Sequence, residues 1–177
     1  MHWLQRFAYC PACGAEVFEE NDFKSKRCGQ CGFTFYLNAA AAVVAIIENP
    51  LGELLVARRR CEPARGTLDL PGGFVDPGEP LEQALLREVE EETNLRLSTP
   101  PVYLFSLPNV YRFSGMDIPT TDAFFHVRLE GECSVIANDD VDALMWVKKK
   151  DIDPMQFGLQ SIRKGLSKWL AGAQKHS

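Results

Sequence analysis

The chain has 177 residues, 46% of them hydrophobic, and a formal net charge of −5. That length fits one ordinary domain with a small appendage, and that hydrophobic content excludes global disorder. The acidic balance argues against tight, nonspecific nucleic-acid binding, and any phosphate-rich substrate must meet local cations, from metals or from placed Arg and Lys.

From the N-terminus, Met1–Phe7 lacks the apolar run and small-residue cleavage site of a targeting segment. The next feature is a stretch, Tyr9 to Phe35, rich in Cys, Gly and polar residues, with little helical periodicity. It holds Cys10-Pro-Ala-Cys13-Gly and Cys28-Gly-Gln-Cys31-Gly, separated by fourteen residues. Two such turns each present two thiolates, and together they complete a tetrahedral four-sulfur shell for zinc. A closed shell leaves no open position, so this zinc is expected to be structural. The glycine after each pair allows a tight turn. Cys61 and Cys133 have no such spacing and read as ordinary thiols.

After residue 37 the pattern changes. Ala40 to Ile47 reads as a buried strand, too short to span a bilayer even when extended back to Ala39. No membrane partner and a cytoplasmic location are therefore expected. Asn49-Pro50-Leu51-Gly52 is a turn, and Leu54 to Arg58 a second strand. Arg58-Arg59-Arg60 follows. Alternation sends Arg59 to the face opposite the other two, and Arg58 is taken as the residue reaching phosphate. A breaker-dense loop, Pro71 to Gly78, leads into a helix from about Pro80 to Asn94. Val102–Leu107, Ala123–Leu129 and Met145–Val147 read as strands. Lys148-Lys149-Lys150 reads as a solvated run, and Phe113, Phe125 and Trp146 as core aromatics. Leu159 to Leu170 closes the chain as an amphipathic helix. The chain thus divides into a ribbon, 1–37, and a larger domain, 38–177, of α+β or α/β class with a mixed sheet covered by helices.

The helix after the loop carries the chemistry. At about 100° per residue, Leu81, Leu85 and Val89 share one stripe. Glu88, Glu91 and Glu92 fall within an arc of about 100° that overlaps the stripe's edge, while Glu90 points nearly opposite. Carboxylates at i, i+3 and i+4 repel by a few tenths of a kcal/mol per pair. No Lys lies on that arc, so a hard divalent ion is the natural partner; a solvated acidic face is the alternative.

The segment Gly73 to Leu95 resembles the Nudix box: Gly, five residues, Glu, seven residues, Arg-Glu-aliphatic-any-Glu-Glu, any residue, Gly, aliphatic. It matches at Gly73, Glu79, Arg87, Glu88, Val89, Glu91, Glu92 and Leu95. Asn94 stands where the pattern has Gly, and Asn is the next most tolerant residue for a left-handed helix cap. The resemblance implies an α/β/α sandwich over roughly Asn38 to Ala171. It implies that Glu91 and Glu92 bind Mg2+ or Mn2+, with Glu88 as ligand or base and the Gly73 carbonyl as a further ligand. Arg87 and Glu79 support the site. A further carboxylate is expected in Asn138–Asp142, at Asp140.

The four-cysteine ribbon is similar to the zinc-ribbon branch, which includes NADH pyrophosphatases and suggests a homodimer. The Ser-Gln-Pro-Trp-Pro-Phe-Pro signature of that branch is absent, and Ser106–Tyr111 occupies its place. The implied activity is hydrolysis of a pyrophosphate bond in a nucleoside diphosphate linked to another moiety, ADP-ribose or NAD(H)-like, releasing a nucleoside monophosphate. Two alternatives remain: removal of a nucleotide cap from RNA, and a nucleotide-sensing module whose ribbon contacts nucleic acid or protein. The intact box glutamates weigh against the second.

Overall fold

A computed structural model of the protein describes residues 3–113, 115–131, 134–138 and 141–173. Strands β1 (Phe18–Asp22), β2 (Ser25–Cys28) and β3 (Thr34–Tyr36) form an antiparallel three-stranded sheet around the cysteine turns. The second sheet holds β4 (Ala40–Glu48), β5 (Glu53–Arg59), β6 (Leu68–Asp69), β7 (Val102–Phe113), β8 (Met116–Arg128) and β9 (Val141–Lys148). Its order is β6-β5-β4-β8-β7, with β9 on β5. β4 and β8 run parallel and the other pairs antiparallel, so the sheet is mixed.

Parity along β4 divides the core in two. Val43, Ala45 and Ile47 pack with Ala84, Leu85 and Val89 of helix α1 (Leu81–Thr93). Val44 and Ile46 pack with Ile162 and Leu166 of helix α2 (Gln160–Ala173). A strand covered on both faces reads as a continuous apolar run, which is why 40–47 shows no polar alternation. The result is the expected α/β/α sandwich. On the α2 side, a Cβ at Gly165 would sit 2.3 Å from the ring of Phe124, which is fully buried. Gly165→Ala should therefore destabilise the fold by about 1–3 kcal/mol through overpacking, despite the better helix propensity of Ala. Urea denaturation checks this; an unchanged midpoint would place α2 farther from the sheet.

The hairpin strands β7 and β8 run well beyond the expected segments. Pro108 and Pro119 interrupt the sequence pattern, yet both are tolerable where they fall. β7 is the edge of the sheet, and Pro119 lies one residue before β8 begins to pair with β4 at Thr120. The lysine run also differs from expectation. Lys149 Nζ lies 2.8 Å from Oε1 of Glu48, a buried residue at the end of β4, so it is an ion-pair partner rather than part of a solvated face.

The sheet opens at one point, and the opening positions the site. β9 follows β5 from Glu53 to Arg59, so β4 and β6 must share the other edge of β5. β4 touches that edge only at Glu48–Leu54, and β6 only at Ala57 and Arg58. β4 and β5 thus diverge, and residues 71–75 fill the vacated edge of β4. Ala45 donates to the Pro71 carbonyl at 2.8 Å, Val43 to that of Gly73 at 2.9 Å, and Val75 to that of Ala41 at 3.1 Å. Gly72 has φ +145°, and a Cβ there would lie 2.1 Å from the Val43 carbonyl oxygen. Only glycine fits so close an approach.

Candidate functional site

The four cysteines of the ribbon converge. Their sulfurs all lie within 4.8 Å of one another, with Cys10–Cys31 and Cys13–Cys28 each at 3.7 Å. Metal–sulfur bonds of about 2.3 Å in a tetrahedron imply sulfur–sulfur edges of about 3.8 Å, so the cluster has the size of a four-thiolate metal centre. The two turns are built alike. Gly14 and Gly32 have φ +74° and +76°, and their amides donate to the carbonyls of Cys10 and Cys28. The Cys31 amide donates to Cys28 Sγ at 3.4 Å. It holds the Cys28 thiol down, to about 6, in spite of burial. Cys61 is exposed and stands outside this cluster.

The second site begins where residues 71–75 pass over α1. Gly73 is so close to the helix that a Cβ there would lie 2.5 Å from the Glu88 carboxyl carbon. Pro80 caps the helix and Leu81 is its first residue. The helix ends on Asn94 in the left-handed conformation, φ 55°, as its place in the box requires. Glu88, Glu91 and Glu92 together face one cavity of about 300 Å³. Glu90 turns away and pairs with Arg96 at 2.7 Å.

Arg87 corrects one expectation. Its guanidinium reaches Glu79 at 2.9 Å, Glu88 at 2.8 Å, Glu91 at 3.1 Å and the Phe74 carbonyl at 3.0 Å. Part of the repulsion on the arc is thus offset from inside the helix. Hydrogen bonds to Glu79 and then Glu88 raise the Arg87 pKa above its ordinary value, and Arg87 holds the Glu79 carboxyl below the usual range. Among the described residues, none makes such an ion pair with Glu92. Its carboxylate accepts the Gly72 amide at 3.0 Å. Burial pushes it up to about 8, Asp69 and Glu88 add to the shift, and the Gly72 amide and the Arg59 charge only partly oppose it. Glu92 is therefore the carboxyl whose charge calls for an added cation.

Arg58 does not line the cavity. It is exposed, with Nη1 on the Gly66 carbonyl at 2.9 Å. Arg59 is the only cation lining the cavity among the described residues. It pairs with Asp69 and donates to the Tyr111 hydroxyl at 3.1 Å and to the Pro63 carbonyl at 2.7 Å. Burial works against its charge, but Asp69 and then Tyr111 more than restore it, so its pKa rises. Alternation along β5 holds: Ala57 and Arg59 share the cavity face and Arg58 takes the other, the extra residue at the β5–β9 register shift being Asp142 of β9. What alternation alone could not settle was which of the two faces carries the cavity. Asp140 lies outside the described residues, as does Cys133; Val141, next to Asp140, lines the cavity. Of the aromatics, Phe125 is core, Trp146 packs against the α1-side cluster and Phe113 is exposed. Phe74 and Tyr111, an edge-to-face pair 5.3 Å apart, are the ones at the cavity.

Residues 38–170 match the NUDIX domain family, well over half of the chain. The chain belongs to the Nudix family. It is 29% identical over 166 residues to the ADP-ribose pyrophosphatase of Methanocaldococcus jannaschii, covering 89% of this chain and 86% of that one. It is 28% identical over 104 residues to the NAD-capped RNA hydrolase NudC of Stutzerimonas stutzeri, covering 59% of this chain but only 37% of that protein. The fold matches the crystal structure of a NUDIX hydrolase from Nitrosomonas europaea, with a TM-score of 0.70, 24% identity, and 92% and 90% of the two chains covered. The chain is a Nudix pyrophosphohydrolase. No helix among its described residues is long and apolar enough to cross a membrane.

Proposed function

We propose that this Nudix protein hydrolyses the pyrophosphate linkage of a nucleoside diphosphate joined to a second group, ADP-ribose first and NAD(H)-like dinucleotides second, releasing a nucleoside monophosphate. The observation that carries this is the convergence of Glu88, Glu91 and Glu92 with a single arginine, Arg59, on one cavity. ADP-ribose ranks first because the archaeal ADP-ribose pyrophosphatase matches this chain along most of both lengths.

The carboxylates fit a hard divalent ion, since Glu92 is buried among like charges and carries a raised pKa that the Arg59 charge does not offset. Glu91 and Glu92, with Glu88 and the Gly73 carbonyl, would hold Mg2+ or Mn2+. That carbonyl already accepts the Val43 amide, which leaves one lone pair. When bound, such ions neutralise charge on the bridging phosphates and acidify a water. Glu88 stands beside Gly73 under the Arg87 fork, held either as a ligand or as the base that takes the proton when water oxygen bonds phosphorus and the bridging oxygen leaves. Arg59 offers its remaining N–H groups to the departing phosphate. Glu79 fixes Arg87, and Asp140, beside the cavity-lining Val141, is assigned as the further carboxylate.

Incubation with Mg2+ and a panel of ADP-ribose, NADH, NAD+, nucleotide sugars, nucleoside triphosphates and NAD-capped RNA tests the substrate class. AMP with a phosphorylated second half is expected, fastest from ADP-ribose. Strong preference for a triphosphate would overturn the reading, and preference for NAD-capped RNA would favour the decapping alternative. Light scattering tests the expected homodimer.

Glu92 also predicts a proton count. Its folded pKa of about 8 exceeds the ordinary 4.5, so the metal-free fold holds this proton more tightly than the unfolded chain does. Its contribution to stability is full below about 4.5 and is lost as pH rises through 8. Mg2+ binding at pH 7 should then release close to one proton per chain. Calorimetry in two buffers of different ionisation enthalpy measures this; release of none would contradict it.

The four-thiolate centre is assigned to structural zinc. Elemental analysis should find one zinc per chain, and Cys10→Ser should lower the melting temperature while the folded fraction keeps its activity. A zinc ratio near zero would remove the assignment.

A further inference from the structure

The cavity continues past the glutamates to the α2 side of the sheet, where its lining changes character. Ala42, Val44, Leu159 and Ile162 form apolar walls there. Between them lie three polar residues that the hydrolytic chemistry does not use: Asn109 on β7, and Thr120 and Asp122 on β8. The Asp122 carboxylate is buried and accepts three hydrogen bonds, from Thr120 Oγ1 at 2.6 Å, Ser161 Oγ at 2.5 Å and Asn109 Nδ2 at 3.0 Å.

This network fixes the Asn109 amide. A carboxylate only accepts, so Asn109 must turn its NH2 toward Asp122. Its oxygen and second N–H are then left over. Asn109 is nine-tenths buried, and its Oδ1 accepts no hydrogen bond from any described residue. An unpartnered amide oxygen in a buried, cavity-lining position costs free energy unless a ligand supplies the donor. Beside it the carboxylate adds a second acceptor and negative charge. An apolar lining whose polar edge is dominated by acceptors suits a heteroaromatic ring carrying an amino group, and disfavours one carrying a keto oxygen at the same position.

We propose that Asn109, held by Asp122, Thr120 and Ser161, forms the base subsite and selects a 6-amino purine over a 6-keto purine. Asn109 is the specificity residue, and Asp122 and Ser161 position it. The inference rests on the proposed nucleotide substrate and adds the base to it. It also gives a use to the strand that stands where the tryptophan–proline signature is missing.

The test is binding of the released half. AMP, IMP and purine riboside 5′-monophosphate, which lacks the 6-substituent, are titrated calorimetrically into the zinc- and Mg2+-loaded protein. AMP should bind at least tenfold more tightly than IMP, with the unsubstituted purine between them. Asn109→Leu should abolish this discrimination while leaving the affinity for ribose 5-phosphate near that of the parent, with some loss of melting temperature because buried Asp122 loses one of its donors; a merely structural role would move the melting temperature alone and keep the AMP-to-IMP ratio. Equal binding of AMP and IMP, binding of neither, or a preference that survives Asn109→Leu overturns the proposal. AMP selectivity without hydrolysis of ADP-ribose would overturn the proposed substrate and leave the subsite standing. Equal turnover of ADP-ribose and its inosine analogue would do the reverse.

Discussion

Glu92→Gln should lower turnover of ADP-ribose on the order of a thousandfold, because it removes the carboxyl most in need of a cation and with it the charge that would hold one over the phosphates. The fold should not suffer. Glutamine keeps the shape and can still accept the Gly72 amide, and the metal-free protein no longer has to ionise a carboxyl whose pKa burial has pushed to about 8. Between pH 5 and 8 the metal-free variant should therefore lose less stability than the parent as pH rises. Glu90→Gln is the matched control. Glu90 pairs with Arg96 on the far side of the helix, and its removal should change turnover by no more than about twofold, as surface pairs generally allow. Steady-state kinetics and thermal melts of the two variants decide. Equal damage from both would mean that the helix presents a different face to the substrate.

Arg59→Lys should reduce kcat/KM by about 10- to 100-fold, whereas Arg58→Lys should leave it close to the parent value. Lysine preserves a positive charge for buried Asp69, so the variant should fold; alanine would strand that carboxylate at a cost of about 3–5 kcal/mol. What lysine loses is the planar fork that bonds Asp69, Tyr111 and the Pro63 carbonyl together and still has donors to offer phosphate. Purification followed by kinetics with ADP-ribose checks this. A larger loss in Arg58→Lys would show that Arg58 leaves the Gly66 carbonyl to reach substrate.

The direction of the glutamates was legible in the sequence because helical spacing is rigid: once Leu81, Leu85 and Val89 fix the buried stripe, Glu88, Glu91 and Glu92 have little choice of direction. That spacing left a solvated acidic face open, and the resemblance to the Nudix box decided for a metal site. The cysteine cluster was legible for a similar reason, since two short turns leave four sulfurs few places to go. Arg59 was not. Strand alternation separates Arg58 from Arg59, as the structure has them, but it does not say which face of β5 carries the cavity; that depends on where residues 71–75 and α1 pack. Arg87 was expected to support the site, but nothing periodic showed that its fork would hold Glu79, Glu88 and Glu91 together. Nor did Asn109 and Asp122 announce themselves. They are scattered polar residues on two strands, and only the β7–β8 register, with Asn109 opposite Thr120, brings them together. The length of that hairpin was hidden by prolines that a sheet edge and a singly paired strand end can accommodate.

Hydrolysis of ADP-ribose in H2(18)O, with Mg2+ present and products identified by mass, tests the central claim most directly. The account predicts AMP and ribose 5-phosphate as the products, one (18)O atom per turnover in the phosphate of one of them, and no reaction in EDTA or with Glu92→Gln. ADP with free ribose, label anywhere but on phosphorus, or undiminished turnover in EDTA would contradict it.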